Sequence, residues 1–107
     1  MLELLMVLIV LDYFTGITAA WIGGTLSSTV GFKGIAKKVA IFAVVFVGHK
    51  LDLALELDNW VMNVAAFFYI SNEFLSLVEN LGKMGVPVPD VMKKAMEQLK
   101  DRGNKSA

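Results

Sequence analysis

Three side chains able to carry charge, Asp12, His49 and Glu73, each fall near the middle of a separate apolar stretch of about bilayer-crossing length. At the centre of a bilayer a charged side chain costs roughly 2.5–3.5 kcal/mol on insertion scales, so each of the three needs a partner or water. Counted from the midpoints of the stretches, they lie within about 5 Å of one depth at 1.5 Å rise per residue, which predicts a single polar layer across three helices. A histidine beside either carboxylate would make assembly sensitive to pH or membrane potential.

Other polar residues share these faces. On the first stretch Asp12 is followed by Thr15 and Gly16, and on the second His49 by Asp52. On the third, Tyr69, Asn72, Glu73, Ser76, Glu79 and Asn80 recur in steps of three and four, placing hydroxyls, amides and two carboxylates on one side of a helix. Hydrogen-bonding glue between helices does not require two acids, so this set predicts a pore or inter-helix polar face. Gly16, Ala19, Ala20, Gly23 and Gly24 form a small-residue face, suited to close packing within the chain or between subunits.

Enzyme chemistry is not expected. The sequence has no serine–histidine–acid constellation and no phosphate-cradling glycine loop. Without cysteine and with one histidine, it has neither a thiolate site nor the ligands for a protein-only zinc site, so no cofactor is expected.

The elements that must position these residues follow from hydropathy. The 107 residues are 56 % hydrophobic, with mean hydropathy +0.63. Soluble domains reach about 45–50 % apolar even with glycine counted, so a single lipid-embedded domain over residues 1–107 is expected. The fold class is an all-α membrane protein with three transmembrane helices at about 4–24, 38–57 and 60–81. Residues 25–38, with Ser27, Ser28, Gly31, Gly34 and three lysines, read as an interfacial loop. Asp58-Asn59 offers a cap for the third helix. Pro87 and Pro89 make residues 85–89 a stiff connector. Val91, Met92, Ala95, Met96 and Leu99 then recur at helical spacing opposite charged residues, predicting an amphipathic tail helix at about 90–102 with an unstructured end at 103–107. No Lys or Arg precedes the first apolar run, so that segment is expected to be retained rather than cleaved as a signal.

Basic residues set the orientation. Lys33, Lys37 and Lys38 in the first connection, and Lys93, Lys94, Lys100 and Arg102 in the tail, are expected on the cytoplasmic side, giving N-out, C-in and leaving Asp52, Glu56 and Asp58 external. The tail helix would either lie on anionic lipid or remain a solvated extension.

Several strings occur in order: Asp12-Tyr13-Phe14-Thr15-Gly16, Leu26-Ser27-Ser28, Gly31 to Lys38, Ile70 to Ser76, Glu79-Asn80 and Gly85-Val86-Pro87-Val88-Pro89. Together they resemble the toxin-secretion/phage-lysis holin family from Leu4 to about Lys100. The paired Asn-Glu and Glu-Asn followed by Pro-x-Pro is the most specific part, and Thr29 departs from the basic residue expected there. The resemblance implies a multi-pass protein of the host bacterial cytoplasmic membrane. It would assemble as a homo-oligomer in the lipid bilayer and open lesions that release an endolysin or a toxin, with no nucleic acid partner. Asp12 and Glu73 fall inside the matching strings and His49 does not. A small ion channel or proton-coupled transporter, and a membrane scaffold that permeabilises nothing, stand as alternatives.

Overall fold

The computed structural model describes residues 1–106, which form four helices: α1 (Leu2–Ile22), α2 (Ser28–Ala54), α3 (Trp60–Lys83) and α4 (Asp90–Ser106). The connector at 85–89 stands as expected. The tail helix runs past its expected end to Ser106, and only Ala107 of the terminus expected to be unstructured lies outside the described residues.

The apolar run of α1, broken at its middle only by Asp12, gives a helix about 31 Å long, close to the roughly 30 Å thickness of a bilayer core. It stops where Gly24 takes φ +73°, and the Thr25 N–H donates to Ala20 O at 2.8 Å. The same backbone device, a left-handed residue followed by an N–H reaching back five residues, ends α3 at Gly85 and Val86 and ends α2 at Glu56 and Leu57.

The largest departure from expectation is the start of α2. Residues 28–38 are helical rather than an interfacial loop, so the second helix begins ten residues before the expected span at 38–57. Ser27 caps it, its hydroxyl accepting from the Val30 N–H at 3.2 Å. Gly31 and Gly34 act as contact surface rather than breakers. A Cβ at Gly34 would come within 3.1 Å of the Tyr13 ring, and the Tyr13 hydroxyl donates to Gly31 O at 3.3 Å. Each glycine disfavours a helix by about 1 kcal/mol, and close packing on α1 offsets that cost.

Asp58-Asn59 does not cap α3. Asn59 sits at φ 57° with no capping bond from its side chain. Asp52, from the last turn of α2, does the work instead: its carboxylate accepts from the Val61 N–H at 2.8 Å and the Met62 N–H at 2.9 Å. The negative carboxylate also matches the positive end of the helix dipole.

Helix α3 is central, with α1, α2 and α4 packed around it, and α1 meets α2 less extensively than it meets α3. Leu5, Leu8 and Ile9 of α1, Ile41 and Val45 of α2, and Ile70, Phe74 and Leu77 of α3 form the apolar core. The Cα trace measures 49 × 33 × 16 Å, a slab no more than two helices deep.

Polarity in this slab is inverted relative to a water-soluble domain. Trp21 is 72 % and Phe32 73 % exposed, and Phe14, Val39, Phe46, Phe68 and Leu75 also point outward, whereas Asp12, Asp52 and Glu73 are buried. Helices α1 and α3 are long and apolar enough to cross a membrane. Helix α2 is longer, but Lys33, Lys37, Lys38, Lys50 and Asp52 keep it from qualifying on composition. The architecture is therefore an all-helical membrane protein with two apolar helices of spanning length and an amphipathic tail helix.

Glu56 occupies a left-handed conformation, φ 56°, at an exposed position. That conformation costs an L-residue roughly 1–2 kcal/mol, and replacement by glycine gives back about 0.4–1 kcal/mol through the looser unfolded chain. Glu56→Gly is therefore expected to stabilise the fold in detergent by about 0.5–1 kcal/mol. Thermal unfolding followed by circular dichroism checks this, and a lower midpoint than wild type would refute it.

Candidate functional site

Asp12 has ten helical residues of α1 on either side. Its carboxylate faces α3, where Glu73 also turns inward, and both side chains are only 6 % exposed. Two carboxylates at this spacing repel unless a cation or proton stands between them. The cation is Lys38 of α2. Its ammonium donates to Asp12 Oδ2 and to both Glu73 oxygens, at 2.8 Å to Oε1 and 2.7 Å to Oε2. These contacts match the three protons of the ammonium.

A neutral network extends the cluster along α1. Asn80 Nδ2 donates to Asp12 Oδ1 at 2.9 Å, with Asp12 O and Thr15 Oγ1 each at 3.1 Å. The Thr15 hydroxyl in turn donates to Leu11 O at 2.7 Å. Gly16 leaves room for the amide, since a Cβ there would stand 3.5 Å from Asn80 Nδ2. Beside the cluster a groove of about 410 Å³ opens between α2 and α3, lined by Lys37, Ala40, Val44, Tyr69, Asn72 and Ser76 together with the three charged residues. Lys37 and Asn72 are exposed at its mouth.

The residues expected to share a face thus divide. Asp12, Thr15, Gly16, Glu73 and Asn80 meet in one network, Tyr69, Asn72 and Ser76 edge the groove, and Glu79 is exposed. Ala19 is buried against the bundle, while Gly23 and Gly24 form the turn after α1. The layer expected over Asp12, His49 and Glu73 contains Lys38 in place of His49. Histidine 49 lies eleven residues further along α2, about 16 Å along the axis. Its Nδ1 is buried without a hydrogen-bond partner among the described residues. Asp52 is further still and holds the end of α3 rather than the cluster.

Lys38 was placed by sequence in a basic flank with Lys33 and Lys37. Those two are exposed, while Lys38 turns inward to the depth of Asp12. A signal for this was present: Gly31, Gly34, Lys38, Ile41, Val45, Gly48 and Asp52 alternate steps of three and four, the period of one buried helix face. Treating Gly31 and Gly34 as loop punctuation hid it.

Comparison with known proteins agrees with the sequence resemblance. The profile of the bacteriophage holin family matches residues 1–101. A protein of Bacillus phage phi105 named as a probable holin is 36 % identical over 91 residues, covering 85 % of this chain and 67 % of that protein. An uncharacterized protein of Listeria monocytogenes is 44 % identical over 93 residues, 87 % of this chain and 66 % of the relative, so the chain spans just under two thirds of that protein's length. An uncharacterized protein of Halalkalibacterium halodurans is 42 % identical over 105 residues, 94 % of this chain and 78 % of the relative. No solved structure matches.

Removing the cation should expose the energetics of the cluster. Lys38→Met leaves two buried carboxylates facing each other, and breaking such an arrangement costs about 3–5 kcal/mol. Loss of monodisperse protein in detergent is expected for Lys38→Met. Recovery is expected when Asp12→Asn and Glu73→Gln are added, because the three neutral groups no longer need a counter-charge. Size-exclusion chromatography of the two variants decides it; a well-behaved Lys38→Met protein would show that the ion cluster does not hold the bundle.

Proposed function

The chain belongs to the bacteriophage holin family, and we propose that it accumulates in the bacterial cytoplasmic membrane, assembles with copies of itself and opens lesions through which an endolysin or a toxin leaves the cell. The observation that carries this reading is the ion cluster at the middle of an apolar helix, inside a slab whose outer surface is hydrocarbon-like.

The cluster also argues for a third crossing segment. If α1 spans, Asp12 lies at mid-depth, and a lysine bonded to it must lie there too. Helix α2 then runs through the bilayer beside α1, from about Ser28 to about Gly48, a length of roughly 30 Å. The basic residues of the tail, Lys93, Lys94, Lys100 and Arg102, favour N-out, C-in, with the tail cytoplasmic.

A lesion requires a face that tolerates water, and the slab has one. Lys37, Tyr69, Asn72 and Ser76 border the groove between α2 and α3, directly over the charged cluster. Elsewhere on the bundle, Phe14, Phe46 and Phe68 suit lipid or apolar neighbours. Assembly that turns the groove edges toward a common centre would line an opening with polar groups, and the exposed Lys37 would meet water there instead of acyl chains.

Expression in bacteria with and without a cell-wall-degrading endolysin tests the function. A sudden collapse of membrane potential, with lysis only when the endolysin is present, is expected. Steady growth with proton-linked flux would indicate a transporter, and growth with neither effect a scaffold. Within this assay Lys37→Leu is expected to delay or abolish lysis while leaving protein accumulation unchanged; unaltered lysis timing would remove the groove from the lining of the lesion.

A further inference from the structure

Helix α4 lies against the side of α3 away from the ion cluster. Lys93, Met96, Glu97 and Lys100 of α4 line a cleft with Ser71, Phe74, Leu75 and Val78 of α3. Phe74 neighbours Glu73, so the docked tail carries its charges along the helix to the depth of the cluster. With α3 across a bilayer, the docked α4 would run back beside it from the membrane boundary and carry Glu97 and Lys100 into hydrocarbon, where a charge is costly.

The contact is too slight to offset this. Met96 and Leu99 pack against the core only partly, while Val91 and Met92, on the same apolar face of α4, are 72 % and 50 % exposed. Two half-buried apolar side chains do not offset charges carried into hydrocarbon. The docked tail and a bilayer-crossing α3 exclude each other.

We propose that α4 is a clasp, docked on α3 before the helix enters the bilayer and released as it enters, when it settles on an anionic lipid surface. Released, α4 uses its whole apolar face, Val91 and Met92 with Ala95, Met96 and Leu99, against the lipid boundary. Lys93, Lys94 and Lys100 then meet lipid phosphates and carboxylates instead of acyl chains. The inference rests on the reading that α3 crosses the membrane.

The chain has no cysteine, so the full-length Leu75→Cys/Met96→Cys variant can be joined across the cleft with a bifunctional methanethiosulfonate reagent that reductant removes. Added to vesicles of phosphatidylglycerol and phosphatidylcholine, the joined protein is expected to stay extractable by alkaline carbonate. The reduced protein and each single-cysteine variant are expected to resist extraction. Cross-linking applied after insertion is expected to fall at least tenfold relative to the protein before vesicles are added. An environment-sensitive dye on Met92→Cys is expected to shift to the blue on these vesicles and not on phosphatidylcholine alone. Insertion of the joined protein, or undiminished cross-linking after insertion, would overturn the clasp and leave the crossing of α3 intact. Failure of the reduced protein to insert would overturn both. An unshifted dye would overturn the surface-bound state.

Discussion

A lysine bonded to two carboxylates at the midpoint of an apolar helix constrains the rest of this structure. Asp12 on α1 and Glu73 on α3 cannot approach as bare anions, and each alone would be costly in an apolar interior. Lys38 answers both, but only if α2 reaches it at the correct level and distance. The Ser27 cap, the closeness allowed by Gly31 and Gly34, and the Tyr13 hydroxyl on Gly31 O all serve that approach. Below the cluster, Ile41 and Val45 continue the same face of α2 into the apolar core, and Gly48 lets the backbone of α3 come close. Asp52 ends the stripe by fixing the start of α3. One buried row on α2 thus joins a charge centre, a core and a helix cap.

The inverted distribution of polarity gives this row its meaning. In water, a slab displaying Trp21, Phe32 and Phe46 around buried acids would aggregate. In lipid the same surface is solvated, and the folding problem becomes one of keeping charge satisfied inside a thin bundle. A slab two helices deep has little interior to spare, so the cluster lies close to the groove between α2 and α3. That proximity connects stability to the proposed lesion: the groups that hold the closed protomer together are next to those suited to face water once protomers assemble.

Much of this was legible in the residues. The apolar runs predicted at 4–24 and 60–81 became α1 and α3 with ends displaced by no more than two residues, because long uniform hydropathy leaves few alternatives. The 3.6-residue pattern of Val91 to Leu99 gave α4, although its docking on α3 depends on tertiary contact that periodicity does not carry. The start of α2 is where the sequence misleads, because glycine and lysine taken one residue at a time read there as a loop. Their local meaning, turn and interface, is overruled by Tyr13 and by two acids distant in sequence. The choice of His49 over Lys38 as third partner followed from that error: a helix begun ten residues late carries the wrong residue to mid-depth. Asp52 capping α3 across nine residues was equally hidden, since a capping residue is sought next to the helix it caps.

If Lys38 and Asp12 share the middle of the bilayer, immersion depth along the outer side of α2 reveals it without touching the cluster. Spin labels placed one at a time at Ile35, Val39, Phe42 and Phe46, all exposed in the bundle, report depth through the balance of oxygen and aqueous relaxation reagents in reconstituted vesicles. Greatest immersion is expected at residues 35–42, on either side of Lys38, with shallower labels toward Phe46. Greatest immersion at or beyond Phe46, with Ile35 at the aqueous boundary, would contradict it and return Lys38 to the membrane surface.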